Sequence, residues 1–249
     1  MTERIPTDAL SLLREFYGVY GMPNEGPLPL FDVSPIAEAL TSLGDSDLEP
    51  LRRALHDDKL RRQFSLCREL LDDLANRLTT SELLQELSGL RRPSDGEFDE
   101  LMSGILWFSL AGSLDQRASG APLTPFDEKL NLPLPLKVRL VVQGSLVLRL
   151  YVALVYMREG CLATLIEMGA KARLPCCGRV HRLLNLDFIR HIRNALSHGS
   201  FRTTVAGIEF RDSTALVMVT PGFLEWMCTW LMLIQLQTLA AWSGSSDAV

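Results

Sequence analysis

The residues best suited to chemistry lie in one stretch, FIRHIRNALSHG, residues 188–199. It contains Arg193, Asn194 and His198. An arginine is permanently cationic and presents a fork of donors that matches phosphate oxygens. A histidine titrates near neutral pH and can transfer protons, and Asn194 can fix the imidazole or contact ribose or phosphate. One fixed cation, one proton-transfer group and one orienting amide are the parts that metal-free cleavage of a phosphodiester requires.

Positive charge is concentrated around this stretch. Residues 171–202 hold seven Lys/Arg, three of the chain's four histidines and one acidic residue, Asp187. The segment therefore carries +6 by count inside a chain of net charge −5. A local basic patch on an acidic protein indicates an anionic ligand that is bound at one place, in contrast to a general polyanion binder.

Helical periodicity predicts how this stretch is presented. At about 100° per residue, His191, Asn194 and His198 share one face of a helix that ends at Gly199, a typical capping position. The opposite face is apolar and should pack against the core: it consists of Ile189, Ile192 and Leu196. Arg193 falls at the edge of this apolar stripe, so Arg193 and His198 of one helix are poorly placed to hold the same atom. Two copies of the helix that face each other would form a composite site.

The sequence RNALSH, an R-x4-H pattern with Asn directly after Arg, resembles the signature of the HEPN superfamily (higher eukaryotes and prokaryotes nucleotide-binding). The resemblance is close over residues 188–199 and extends by helix pattern over 97–242. It implies a helical bundle with the motif on a late helix, brought together with a second copy in a homodimer. It also implies a metal-independent endoribonuclease of the toxin or antiviral defence type, with a possible antitoxin or regulatory protein partner. In such an enzyme the 2′-hydroxyl attacks the adjacent phosphate and leaves a 2′,3′-cyclic phosphate.

The resemblance assigns three residues directly. Arg193 would contact the phosphate and the transition state, His198 would act as acid, base or orienting group, and Asn194 is the polar residue after the arginine. Arg190, His191 and Ser197 are neighbours without such an assignment and are candidate substrate contacts. We expect no cofactor and no metal. The alternative function is a non-catalytic HEPN-like module that binds a nucleotide or a protein through the same basic face.

The rest of the chain predicts a mainly α fold: a HEPN-like helical bundle over residues 93–245 and an N-terminal helical extension over 1–92. Three short β-branched segments after the motif helix, FRTTV, GIEFR and TALVMV, predict a hairpin or meander. Helices are predicted over 51–78, 82–90, 97–113, 136–170, 179–198 and 221–242. The helix over 136–170 could be broken at Gly144 or Gly160. Residues 119–137 hold four prolines and predict a long loop or an extended crossover.

Composition indicates a folded protein of the cytoplasm. Hydrophobic residues make up 47% of the chain and charged residues 22%, which disfavours disorder outside the termini. The five cysteines are odd in number and irregularly spaced, which favours a reducing compartment. The first residues, MTERIPTDALSLLREF, include acids and no apolar core, so they predict no signal peptide.

Two alternatives remain open at this level. Residues 226–246 are uncharged and long enough to cross a bilayer, but a buried core or dimer helix is favoured because four polar residues interrupt them and no basic cluster flanks them. Cys176, Cys177 and His181, with Cys161 nearby in sequence, suggest zinc, but adjacent cysteines lack the paired spacing of structural zinc sites.

Overall fold

A computed structural model describes residues 7–22, 45–91, 94–118, 134–204 and 207–243. The helices in these ranges are α1 (Thr7–Tyr20), α2 (Asp45–His56), α3 (Asp58–Thr79), α4 (Glu82–Ser88), α5 (Asp95–Ala118), α6 (Leu134–Glu159), α7 (Cys161–Lys171), α8 (Pro175–Leu184), α9 (Asp187–Ser197) and α10 (Pro221–Ser243). The strands are β1 (Phe201–Thr203), β2 (Ile208–Arg211) and β3 (Leu216–Val219). The prediction of a mainly α fold with a small β element after the motif helix is confirmed.

The three strands form one antiparallel meander in the order β1-β2-β3. Phe201 pairs with Phe210 across the first two strands, and Phe210 pairs with Val217 across the last two. Phe210 and Val217 are buried, and β2 and β3 pack against α9. The meander therefore covers one side of the motif helix.

The prediction of one continuous helix over residues 51–78 is wrong. Asp57 separates α2 from α3, with φ −84° and ψ 91°, and its side chain accepts a hydrogen bond from the Leu60 backbone N–H at 2.9 Å. An aspartate in extended conformation whose side chain accepts a hydrogen bond from the backbone N–H three residues later is an N-cap. It satisfies one of the unpaired donors at the start of a new helix. The apolar spacing continues through this break, so periodicity alone did not reveal it.

The predicted helix over 136–170 is divided at Gly160 and continues through Gly144. Gly160 is needed here because a Cβ would meet the Glu100 carboxylate, whose Oε1 accepts a hydrogen bond from the Cys161 N–H at 3.0 Å. The helix α6 begins at Leu134, so the loop prediction is wrong for residues 134–137. Pro135 lies in the first turn of α6, where its missing N–H costs nothing. Residues 119–133 of the predicted loop lie outside the described ranges.

The predicted motif helix over 179–198 consists of two helices. Asn185 ends α8 by donating from Nδ2 to the His181 carbonyl at 2.8 Å, and α9 begins at Asp187. At the other end, Gly199 has φ +63°, a left-handed conformation that glycine adopts without strain. The prediction that Gly199 ends the motif helix is confirmed.

Aromatic rings join the first helices to the motif helix and to α10. Phe64 of α3 lies 5.0 Å from the ring of Tyr20, 5.9 Å from that of Phe188 and 4.7 Å from that of Phe223. All of these side chains belong to one continuous cluster of buried residues. Complete burial of a phenylalanine contributes about 1.5–3 kcal/mol, so Phe188 ties the motif helix firmly to the core. The predicted boundary between residues 92 and 93 stays a prediction.

The uncharged C-terminal segment forms most of α10, which packs against α3, α4, α5 and α6. Its polar residues Gln235, Gln237 and Thr238 are buried inside the protein, and Gln237 donates to the Leu78 carbonyl at 2.5 Å. Among the described helices, none is long and apolar enough to span a membrane.

Candidate functional site on the motif helix

The helix α9 is positioned by its apolar face. Phe188, Ile189, Ile192, Ala195 and Leu196 are all buried, which confirms the packing face that periodicity predicts.

The preceding helix α8 is fixed at its start by Glu86, whose two carboxylate oxygens accept hydrogen bonds from the N–H groups of Cys176 and Cys177, each at 2.9 Å.

His191 is also buried, although it lies on the face predicted to be polar. It is 8% exposed, and its Nδ1 atom lies 2.7 Å from Oδ2 of Asp212. The covering element is the meander, because Asp212 belongs to the turn between β2 and β3. That His191 contacts the substrate stays a prediction. In the structure its partner is the buried carboxylate of Asp212.

Asp212 is the principal residue of the site that sequence reasoning missed. Its Oδ1 accepts hydrogen bonds from the backbone N–H groups of Thr214 at 2.6 Å and Ala215 at 3.0 Å, and from the Thr214 hydroxyl at 2.9 Å. Burial alone raises the pKa of Asp212, but the hydrogen bonds from His191, Thr214 and Ala215 outweigh it and hold the pKa well below its usual range. The available signal was the D-S-T sequence, which is typical of an Asp side chain that closes its own turn.

Asn194 connects this buried carboxylate to Arg193. Its Nδ2 donates to Oδ2 of Asp212 at 3.3 Å, and its Oδ1 accepts from Nη2 of Arg193 at 2.8 Å. The amide therefore donates at one end and accepts at the other. If it were flipped, both hydrogen bonds would be lost, so its orientation is fixed. The sequence suggested that Asn194 could fix the imidazole; in the structure its amide contacts the Arg193 guanidinium.

Arg193 lies at the edge of the site with 26% of its side chain exposed. Its Nη1 donates to Oε1 of Glu159, the last residue of α6, at 2.5 Å. The Glu159 side chain is 53% exposed, so the ion pair faces solvent on its acidic side. Arg193 is thus held by a fixed amide on one side and by an exposed carboxylate on the other.

A second arginine lies close to Arg193. Burial and the Arg193 charge lower the pKa of Arg158, and the neighbouring Glu159 opposes this effect only in part. Arg190 adds a further repulsive contribution, although it pairs with Oδ1 of Asp187 at 2.8 Å. The charges of Arg193 and Arg190 thus both disfavour the protonated form of Arg158.

The remaining predicted residues lie at the exposed C-terminal end of α9. Ser197 and His198 are both exposed, and His198 is the C-cap residue whose backbone N–H donates to the Asn194 carbonyl at 3.1 Å. Unpaired carbonyls at a helix C-terminus favour a nearby positive charge. Within one chain, the structure joins Arg193, Asn194 and His191 in one network and leaves the His198 imidazole at the surface.

The basic segment over residues 171–202 is partly neutralised by its surroundings. Lys171 pairs with Glu167 at 2.7 Å, and Arg202 pairs with the buried Glu209 at 2.9 Å. Arg179 pairs with Asp73 beside a groove of about 520 Å³ between α3 and α8, which Arg173 and Arg182 also line. Arg190 and Arg193 of the motif helix are also paired with carboxylates, those of Asp187 and Glu159.

Two of the cysteines suggested for zinc lie beside the Glu86 carboxylate, which accepts hydrogen bonds from their backbone N–H groups. Cys176 and Cys177 are buried, and burial raises the pKa of each thiol to about 12. In the described ranges, no group of three His, Cys, Asp or Glu side chains is arranged to hold a metal ion.

Together these features define a mainly α protein with a small β meander folded over a motif helix, and a polar network that holds a surface arginine. The chain matches no protein-family model, no curated protein and no solved structure. The resemblance to HEPN proteins therefore rests on the sequence pattern of residues 188–199 and stays a prediction.

Proposed function

We propose that the chain is a metal-independent endoribonuclease in which Arg193 and His198 act on one phosphodiester of RNA. The observation that carries the proposal is the way in which Arg193 is held. A buried carboxylate fixes Asn194, and Asn194 fixes the guanidinium at a partly exposed position. A cation fixed before the substrate arrives needs no reorganisation as charge develops in the transition state.

The proposed reaction needs no group outside the chain and its substrate. The ribose 2′-oxygen attacks the adjacent phosphorus while a base removes its proton, and the bond from phosphorus to the 5′-oxygen breaks as an acid protonates that oxygen. The products are a 2′,3′-cyclic phosphate and a 5′-hydroxyl. Arg193 would stabilise the charge on the non-bridging oxygens, and His198 would transfer one of the two protons.

A homodimer is part of the proposal because one chain supplies a single exposed histidine next to the site. Two motif helices around a two-fold axis would bring two arginines and two histidines to one cleft. Each Arg193 could then act together with the His198 residue of the other copy. The partners proposed are RNA, a second copy of the chain and, for a toxin, a protein that restrains it.

The rival proposal, a non-catalytic module that binds a nucleotide or a protein, draws on the pairing of Arg193 with Glu159. A cation already matched with a carboxylate serves binding as readily as catalysis. Because Glu159 is half-exposed, its ion pair with Arg193 resembles a weak surface contact more than a structural ion pair. This favours a site in which an anion can displace Glu159 from Arg193.

One experiment separates the two proposals. The purified chain is incubated with mixed single-stranded RNA in EDTA, and the ends of the products are analysed chemically. Cleavage with 2′,3′-cyclic phosphate and 5′-hydroxyl ends, absent in Arg193→Ala and retained in Arg53→Ala, is the expected result. Intact RNA bound by a folded, dimeric chain would support the binding module and overturn the nuclease.

A further inference from the structure

We propose that Arg158 and Arg193 together form a phosphate-binding site, and that Glu159 occupies this site as an internal competitor. The identity of the ligand as RNA rests on the proposed function, whereas the anion site stands on the contacts at the end of α6. Arg158 lies outside the motif, and its role depends on where α6 ends relative to α9.

Positive charge is in excess at the end of α6. Glu159, which pairs with Arg193, directly follows Arg158 in the chain, and the charge on Arg193 disfavours protonation of Arg158. Glu159 is the carboxylate that pairs with Arg193, while Asp187 pairs with Arg190. Arginines held together with too little opposite charge repel each other in the free protein, and a phosphate between them would remove this repulsion.

Both arginines also have hydrogen-bond donors that are not used. Nε of Arg193 and Nη1 of Arg158 are both buried and have no hydrogen-bond partner. Buried polar groups are almost always paired, so two unpaired guanidinium N–H groups in one cluster point to a missing acceptor. A phosphate offers more acceptor oxygens than the single carboxylate of Glu159 and can serve both arginines.

Glu159 lies at an unfavourable position for a carboxylate. It is the last residue of α6, and a negative charge at a helix C-terminus is disfavoured by the helix dipole. Its side chain is half-exposed and contacts the same guanidinium that the resemblance assigns to phosphate. Glu159 therefore lies where an incoming phosphate oxygen would bind and can turn outward to solvent when one arrives.

The test measures binding separately from cleavage. The probe is a fluorescein-labelled single-stranded RNA with 2′-O-methyl groups, which has no nucleophile for the proposed reaction, and its affinity is measured by fluorescence anisotropy at constant ionic strength. Glu159→Gln should tighten binding about tenfold, since it removes the competitor, and Arg158→Gln should weaken it about tenfold, a change of about 1.4 kcal/mol. The matched controls, Glu225→Gln and Arg53→Gln, change the same charges at exposed positions elsewhere and should each alter affinity less than threefold.

Thermal unfolding distinguishes a binding role from a structural one. If Arg158 is kept for a ligand, Arg158→Gln should unfold at the same or a higher temperature, because it relieves repulsion from Arg193. A lowered unfolding temperature together with wild-type affinity would overturn the proposal. Should Arg158→Gln fail to fold, Glu159→Gln and Arg158→Lys are measured in its place. The proposal is wrong if Glu159→Gln binds the probe no more tightly than Glu225→Gln, whatever the affinity of Arg158→Lys.

The outcome is independent of catalysis. Affinity changes of the expected sign in a chain that does not cleave RNA would reject the nuclease proposal and uphold the anion site. If cleavage depends on Arg193 but neither Glu159→Gln nor Arg158→Gln changes the affinity for the probe, the anion site is rejected and the nuclease proposal is upheld.

Discussion

Asp212 joins the β meander to the motif helix through His191: the Nδ1 atom of His191 lies 2.7 Å from Oδ2 of Asp212, and both side chains are buried. The same carboxylate oxygen accepts a hydrogen bond from Asn194. A turn between two strands thereby determines the orientation of the amide next to Arg193. This relationship gives the meander a part in the site, since the turn fixes the amide that holds the guanidinium.

The Asp212 carboxylate should make stability depend on acid pH. Its pKa is lowered in the folded chain, whereas in the unfolded chain an aspartate titrates at about 3.9. The ionised form thus stabilises the fold above about pH 4, and this stabilisation is lost as the pH falls below that value towards the folded pKa. Asp212→Asn should lower the free energy of unfolding at pH 7 by about 1–3 kcal/mol, and its unfolding should depend less on pH between 5 and 3.

Urea unfolding at several pH values measures this effect. The control is Asp72→Asn, an aspartate exposed on α3, which should leave both the stability and its pH dependence near those of the wild type. Equal behaviour of the Asp212 and Asp72 variants would show that the hydrogen bonds to Asp212 contribute no net stability.

Arg193→Ala and His198→Ala should each abolish most RNA cleavage with little loss of stability, because Arg193 is partly exposed and His198 is exposed. A general acid or base contributes about 10²–10⁴ in rate, so we expect at least a hundredfold loss for each variant. The double variant should lose little more than either single variant, since groups that act together are not additive. Initial rates on labelled RNA in EDTA, with circular dichroism as the folding control, test this. A tenfold loss alone, or cleavage retained in the double variant, contradicts the Arg/His mechanism.

If each site combines Arg193 of one copy with His198 of another, a mixture of the two inactive variants should regain activity. At equal concentrations about half of the dimers are mixed, and each mixed dimer has one intact site of two, so about a quarter of wild-type activity should return. Mixing after mild denaturation and refolding allows subunit exchange. No recovery, with dimers present by light scattering, would place both residues of each site in the same chain. A monomer at micromolar concentration would reject the composite site altogether.

Arg190→Ala should weaken RNA binding modestly and preserve turnover at saturation. Its side chain is half-exposed and pairs with Asp187 at the surface, which suits a contact with the RNA backbone outside the reacting phosphate. Loss of one phosphate contact should reduce the slope of log affinity against log salt by about 0.7 for single-stranded RNA. The measurements are anisotropy titrations at several salt concentrations and kcat at saturating RNA. A fall in kcat with unchanged KM would instead assign Arg190 to the reacting centre.

The sequence by itself determined the features that depend on neighbours along the chain. Ile189, Ile192 and Leu196 fix the buried face of the motif helix through their spacing, and Gly199 marks its end, because a left-handed residue there favours glycine. The β-branched segments after residue 200 predict the meander for the same local reason. Local capping still escaped detection at Asp57, whose side chain begins a new helix, and at Asn185, whose side chain ends one, because the apolar spacing continues through both positions.

Only the tertiary structure decided what the polar face of the motif helix contacts. A helical projection places His191 with His198 on one face, but the meander covers His191 and leaves His198 exposed, and nothing in the helix itself encodes this covering. Asp212 lies 18 residues from Asn194 and Glu159 lies 34 residues from Arg193 in the chain. Contacts over such separations follow from the packing of α6, α9 and the meander around the shared core, and that packing brings Arg158, Glu159 and Asp212 to a motif whose sequence includes none of them.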